Sequence, residues 1–193
     1  MGGARGGGTR RAVGMTEADP IAIGQDAIDE TKAYLRIAGD AEDALIGRLL
    51  AAAIGHGEGF TGQALIARTM RETIPAQGSW RRLARTPVGA IASVEGLPAG
   101  GAAFVLGVDA YAVDVDAAGD GWVRIAAAGT ATRAKVQYSA GLAAEWSGLP
   151  EPLRQGIVRL ASHLYTHRDA VDEGAPPAAV AALWRPWRRM RLQ

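Results

Sequence analysis

Apolar side chains recur every three or four positions in residues 26–61 and 150–169, and every second position across much of 65–140. The first spacing lays a stripe along one face of a helix, and the second puts alternate side chains on one face of a strand. A chain that switches from one period to the other and back reads as α+β. It has a small helical core of three main helices, an antiparallel β insertion between the second and third of them, and extended arms at both ends.

The first helix is expected over 26–36, opened by Asp26 as a cap, with Asp29 three residues on and Ile28, Thr31 and Leu35 on one face. The second is expected over 41–61, capped by Asp40 with Asp43 behind it, and its stripe reads Leu45, Leu49, Ala53, His56 and Phe60 before Gly62 stops it. Glycines 55, 57 and 59 each cost up to about 1 kcal/mol against Ala in a helix interior, so its last turns are either weak or packed closely against another backbone. The third, 150–169, opens on Pro150 and Pro152, where a missing amide proton is harmless, and carries Leu153, Ile157, Leu160, Ala161, Leu164 and Tyr165 on one stripe.

Within 65–140, Tyr111, Val113 and Val115 alternate with Ala112, Asp114 and Asp116, and Gly119, Asp120 and Gly121 turn the chain into Trp122–Ile125, which is a hairpin. Ala134, Val136 and Tyr138 form a further alternating run, and Val88–Leu97 and Ala103–Leu106 add two short apolar ones, for four to six antiparallel strands in all. Gly174, Pro176 and Pro177 then separate the third helix from a last amphipathic segment, Ala178 through Trp187. The organisation is a Gly/Arg-rich extended N-terminal arm (1–25), a central domain (26–170) and a C-terminal docking arm (171–193).

Charge and composition exclude several classes of function. Twenty-one basic and 20 acidic side chains leave a net charge of +1, so the molecule as a whole is no polyelectrolyte partner for nucleic acid or an anionic membrane. Nineteen of the 21 basic residues are Arg, since only Lys32 and Lys135 are lysines, a bias that fits a GC-rich genome. The longest apolar runs, Leu49–Ile54 and Ala178–Trp184, fall far short of the roughly 20 residues that span a bilayer. No apolar segment follows Arg5, Arg10 and Arg11 as a secretory signal requires. The absence of cysteine removes disulfides, thiol catalysis and Cys-ligated zinc together.

Candidate chemical constellations are weak. His163 and His167 have the spacing of a shared metal, but Leu164 stands where a hydrolytic motif needs Glu, and Asp169 and Asp172 reach the site only if the helix bends back. Asp114, Asp116 and Asp120 resemble a calcium loop, but Ala118 and Ile125 occupy positions that require oxygen ligands. The N-terminal glycines follow no strand and open no helix, so they do not form a dinucleotide-binding turn. No nucleophilic triad is present in the pattern, and the sequence argues against an enzyme and for no cofactor or metal.

The C-terminal segment is different. Trp184, Pro186 and Trp187 interleaved with Arg185, Arg188, Arg189 and Arg191 combine rigid aromatic anchors with bidentate guanidinium groups, the composition of a binding hot spot. A protein-docking arm is the favoured reading, because two Trp in a solvated tail are costly to leave unused. A plain basic tail and a nucleic-acid tail are the alternatives.

Five blocks carry a resemblance: DETKAYLR (29–36), EDALIGRLL (42–50), FTGQALI (60–66), AKVQYSAG (134–141) and LPEPLRQGIVRLASHLYTHRDA (149–170). In this order they resemble the tailed-phage head–tail connector, or adaptor, proteins found in phages and phage-derived gene transfer agents. The glycines at 55, 57 and 59 depart from that pattern, as does the Gly/Arg arm before Met15, which leaves Met15 as a second candidate start. The resemblance implies a non-catalytic ring, commonly of twelve copies, in the neck of a virion or phage-like particle assembled in the bacterial cytoplasm. Such a ring sits between the portal protein and a stopper or tail-terminator protein. It also implies that DNA passes through the lumen without sequence-specific contact and that the C-terminal segment docks on the portal. The near-neutral charge fits a conduit that does not grip phosphates. The rival function is a DNA-binding regulatory or packaging protein using its basic termini.

Overall fold

The structure, a computed structural model, describes residues 16–167 and 175–189. Three main helices do flank a β insertion, which lies between the second and third of them in the chain, as the periods predict. Helix α1 spans Gln25–Leu35, α2 Asp43–Thr61 and α3 Glu151–Thr166; a short α4, Ala178–Trp184, continues into a 3-10 turn, Arg185–Trp187. Neither aspartate expected to cap a helix does so. Gly24 precedes α1 and Glu42 precedes α2, both without a side-chain cap, while Asp26 sits inside the first turn, where a carboxylate still complements the helix dipole. Asp43 instead accepts from Lys32 Nζ at 2.7 Å, tying α1 to α2. That hydrogen bond holds the Asp43 carboxyl below its usual range and the Lys32 ammonium above its own.

Helix α2 runs unbroken through its three glycines, but it buries a stripe adjacent to the expected one. Ile46, Leu50, Ala53, Ile54, Gly57 and Thr61 face the core, Leu45, Leu49 and Phe60 are half-buried on the flank, and His56 is exposed. Both stripes have helical spacing, so spacing alone does not choose between them; on the buried one Gly57 lies close against Leu65, where a Cβ would come within 3.1 Å. On α3 the expected stripe is the buried one, with Leu153, Ile157, Leu160 and Ala161 all in the core.

Seven strands, against the four to six expected, fill the insertion: β2 Arg68–Pro75, β3 Arg81–Arg82, β4 Val88–Pro98, β5 Phe104–Val105, β6 Tyr111–Val115, β7 Gly121–Ile125 and β8 Ala131–Ala140. An eighth, β1 Thr16–Ala18, lies inside the arm expected to be extended and pairs with β2. Strand order is β1-β2-β8-β4-β5 in one sheet and β3-β7-β6 in the other, with every strand pairing antiparallel.

There are two cores. The helices enclose one around Leu50, Ile54, Leu153, Ile157 and Trp184, and the two sheets enclose another around Met70, Val94, Val123, Val136 and Tyr138. Glu72 is buried in the second, where it accepts from the Ala84 amide at 2.7 Å and the Tyr138 hydroxyl at 3.2 Å. Burial first, and the Glu72 charge after it, push the Tyr138 phenol well above its ordinary range. At the joint between the cores, Arg68 grips buried Glu58 with two bonds of 2.7 Å, and Glu58 also takes the Leu65 amide at 2.9 Å.

Candidate docking surface

The C-terminal segment is built onto the helical core. Pro177 lets the chain enter α4, whose Val180 and Trp184 turn inward. Trp184 has no exposed surface, and its indole Nε1 donates to the Leu153 carbonyl at 3.3 Å. The ring lies in a slot that needs glycine at 156, where a Cβ would come within 2.1 Å of the indole nitrogen, while a Cβ on Gly57 would stand in ordinary contact with the benzene edge of the ring at 3.5 Å. Phe60 closes the slot at a tilt of 54°, with ring centroids 5.9 Å apart.

Past Trp184 the chain crosses from the helices to the three-stranded sheet. Gln63 Nε2 donates to the Trp187 carbonyl at 2.6 Å, and the Arg189 amide donates to the Thr61 carbonyl at 2.8 Å. The Arg189 guanidinium then reaches the tip of the β6–β7 hairpin, bonding Thr86 Oγ1 at 2.6 Å, Asp120 Oδ1 at 3.2 Å and the Ala118 carbonyl. The sequence separation to that tip, about 70 residues, hides this contact from any local pattern.

The segment therefore divides. Trp184 belongs to the core, a correction to its expected role as a surface anchor, and the boundary at 171 does not detach an arm from the domain. Trp187 is half-buried against the helices, so the two Trp do not present one exposed face. Arg185, Pro186 and Arg188 are exposed, Arg189 is occupied internally, and Arg191 lies outside the described residues. Beside Arg188, whose guanidinium lies 5.8 Å from the Phe60 ring, a shallow groove of about 640 Å³ is lined by Ala52, Gly55, His56, Gly59, Phe60 and Pro176. A Cβ at Gly55 or Gly59 would meet nothing within 4 Å, which leaves the groove floor open.

The rival constellations are also placed. His163 and His167 stack at 4.2 Å near the end of α3 and are both exposed, while Asp169 and Asp172 lie outside the described residues. Asp116 accepts from the amides of Ala118 and Asp120 and from Trp122 Nε1, all within 3.0 Å, which holds its carboxyl below the usual range through the indole bond first. Asp120 pairs with Arg82 and Arg189. These carboxylates hold a hairpin tip together. Among the described residues no group of three or more His, Asp or Glu could hold a metal ion, and no helix is long and apolar enough to cross a membrane.

No protein-family model and no curated protein matches the sequence. Solved structures do. A chain in the virion of a native gene transfer agent particle is 30% identical, with a TM-score of 0.69, over 93% of this chain and 97% of that one. The chain belongs to the head–tail connector family of tailed phages and gene transfer agents. Two further solved structures cover the same shares of both chains: one from the neck of an empty gene transfer agent particle computed with C6 symmetry, at 29% identity and a TM-score of 0.73, and one from the neck of a native particle computed with C12 symmetry, at 28% and 0.69. Since the likeness spans both layers, the connector fold includes the β sandwich as well as the helices.

Proposed function

We propose that this connector is a structural component of a particle neck, where copies form a closed homo-oligomeric ring, twelve in number, between the portal and the stopper or tail terminator, and line the channel that DNA follows. The observation that carries the reading is the end-to-end likeness to neck chains of gene transfer agent particles, one of them computed with C12 symmetry. A net charge of +1 supports it, because a conduit for DNA works best when its wall does not exchange counterions with the phosphates. The role is mechanical and non-catalytic. Mass measurement of the isolated neck tests it: a closed cyclic assembly of high order is expected, and a neck holding a single copy would refute it.

Docking on the portal is assigned to the exposed part of the C-terminal segment, Arg185, Pro186 and Arg188, with the groove beside Phe60. Arg185→Glu/Arg188→Glu changes only exposed side chains, so the protein should fold as before while its copy number on DNA-filled heads drops at least tenfold. Normal stoichiometry of that variant would move the docking site elsewhere on the molecule.

A further inference from the structure

Five of the large apolar side chains left exposed fall within one short span. Phe104, Val105, Val108, Val113 and Val115 are 37 to 78% exposed, and all lie between residues 104 and 115, on β5, the 3-10 turn after it and β6. Both strands are outer strands, β5 of the five-stranded sheet and β6 of the three-stranded one. Register shows why this edge is unfinished. Val113 stands opposite Val123 and Val115 opposite Gly121. Their partners on β7 are buried, yet Val113 and Val115 stay 44% and 41% exposed, so a row of core-facing side chains continues past the cover that the other sheet provides. The charges within this span are Asp109 and Asp114, both exposed, and it holds no basic residue.

The opposite end of the five-stranded sheet is β1, and residues 1–15 precede it. That segment carries Arg5, Arg10 and Arg11, no acidic residue, and the apolar Val13 and Met15 next to β1. Extended, 15 residues reach about 50 Å. A cyclic ring needs two different surfaces on each copy, one giving and one receiving. The valine edge and the N-terminal end are unlike and complementary in charge, and β5, which carries Val105, is the edge strand farthest from β1 in the five-stranded sheet.

We propose that the edge formed by Val105, Val108, Val113 and Val115, with Asp109 and Asp114, receives the N-terminal segment, residues 1–15, of the next copy in the ring. The inference rests on the ring reading above and adds the contact that closes it. The valines take the apolar side chains near β1, and the two aspartates take the arginines.

The absence of cysteine makes a direct test possible. Particles assembled with Thr9→Cys/Val108→Cys and oxidised should give a ladder of cross-linked species at multiples of 20.0 kDa on a non-reducing gel, while either single variant should give no more than a dimer. A cross-link confined to the monomer would show that the segment folds back on its own edge, and the absence of any ladder would place the contact elsewhere; both overturn the inference. As a second variant, Val105→Asp/Val108→Asp alters two side chains 75% and 78% exposed, so the melting temperature should be unchanged while the ring is lost. A ring of normal order in that variant overturns the inference and leaves the ring reading intact, whereas wild-type necks with a single copy overturn both.

Discussion

Replacing Trp184 by Ala should unfold this protein more readily than any change to the exposed arginines beside it. A Trp side chain buries about 150–250 Å². At about 25 cal/mol per Å² its transfer alone is worth about 4–6 kcal/mol, an upper figure because the unfolded chain already hides some of that surface. Large-to-small replacements of buried aromatics cost about 3–5 kcal/mol. Trp184 belongs in that range, since it has no exposed surface and its slot is walled by Gly57, Gly156, Leu153 and Phe60. The glycine walls have no side chains to move into the void, so the site cannot collapse easily. Taking about 4 kcal/mol and about 2–4 °C per kcal/mol for a domain of this size, the midpoint of thermal unfolding should fall by about 8–16 °C. Trp187→Ala, at a half-buried position, should cost about 1–2 kcal/mol. Calorimetry on the two variants and the parent decides it. A Trp184→Ala midpoint within about 2 °C of the parent, or below which Trp187→Ala falls, would mean that the indole is no part of the core. The same reasoning makes truncation after Pro177 destabilising, against the expectation from sequence that the domain ends earlier.

Leu160→Ala, in the middle of the buried face of α3, should cost about 2–5 kcal/mol by urea unfolding, and an unchanged midpoint would contradict the packing of that helix. Glu58→Ala should cost about 3–5 kcal/mol because it strands the Arg68 guanidinium, whose side chain is only 10% exposed, whereas Glu58→Leu/Arg68→Met should come much nearer the parent; equal losses in both would show that the charges themselves are needed. Acid should loosen the β6–β7 hairpin tip. The folded carboxyl of Asp116 titrates below its unfolded value of 3.8, so its contribution is present above that pH and is lost as pH falls through the lower, folded value; Trp122 emission should report the change, and Asp116→Asn should flatten it. Alkali acts on Tyr138 in the opposite sense: its folded value is raised, so its contribution is complete below the unfolded value of 10.0 and declines as pH rises beyond it, and Tyr138→Phe should remove that decline.

What the sequence revealed was set by periodicity, and what it hid was set by distance along the chain. The α3 stripe is unambiguous because Leu153, Ile157 and Leu160 have no competitor on the neighbouring face. On α2, Leu45–Leu49 and Ile46–Leu50 are equivalent by spacing, and the buried choice is the one that lays Gly57 against Leu65 and against a Trp well over 100 residues later. β2 escaped notice because its inward row runs Met70, Glu72, Ile74, and a buried carboxylate reads as a surface residue until Tyr138 and the Ala84 amide are seen to satisfy it. The C-terminal composition reads as a surface segment, but Trp184 and Arg189 spend their capacity within the chain. The valine edge was visible as alternation in Tyr111–Val115, yet alternation predicts a covered face and cannot say that the cover stops short.

Arg189 gives the two cores a shared fastening. Its amide holds the Thr61 carbonyl at the end of α2, and its guanidinium holds Thr86, Ala118 and Asp120 at the tip of the hairpin whose other strand, β6, carries the unfinished valine edge. A load applied to exposed Arg185 or Arg188, one to four residues before it, thus has a short covalent path to both layers. Hydrogen bonds to charged groups contribute about 1.5–3 kcal/mol each when sheltered, and less at a side chain 25% exposed, so Arg189→Ala should cost only about 1 kcal/mol globally. Its local effect should be larger in kind. Asp120 keeps Arg82 and Asp116 keeps Trp122, so the hairpin stays paired, but its tip loses its tie to the helices. Amide exchange of residues 116–121 should therefore quicken while the cores at Leu153–Ala161 and Val136 keep their protection. Exchange that quickens in both cores together would show that Arg189 supports the global fold instead, and unchanged exchange at the tip would show that Arg82 alone holds it.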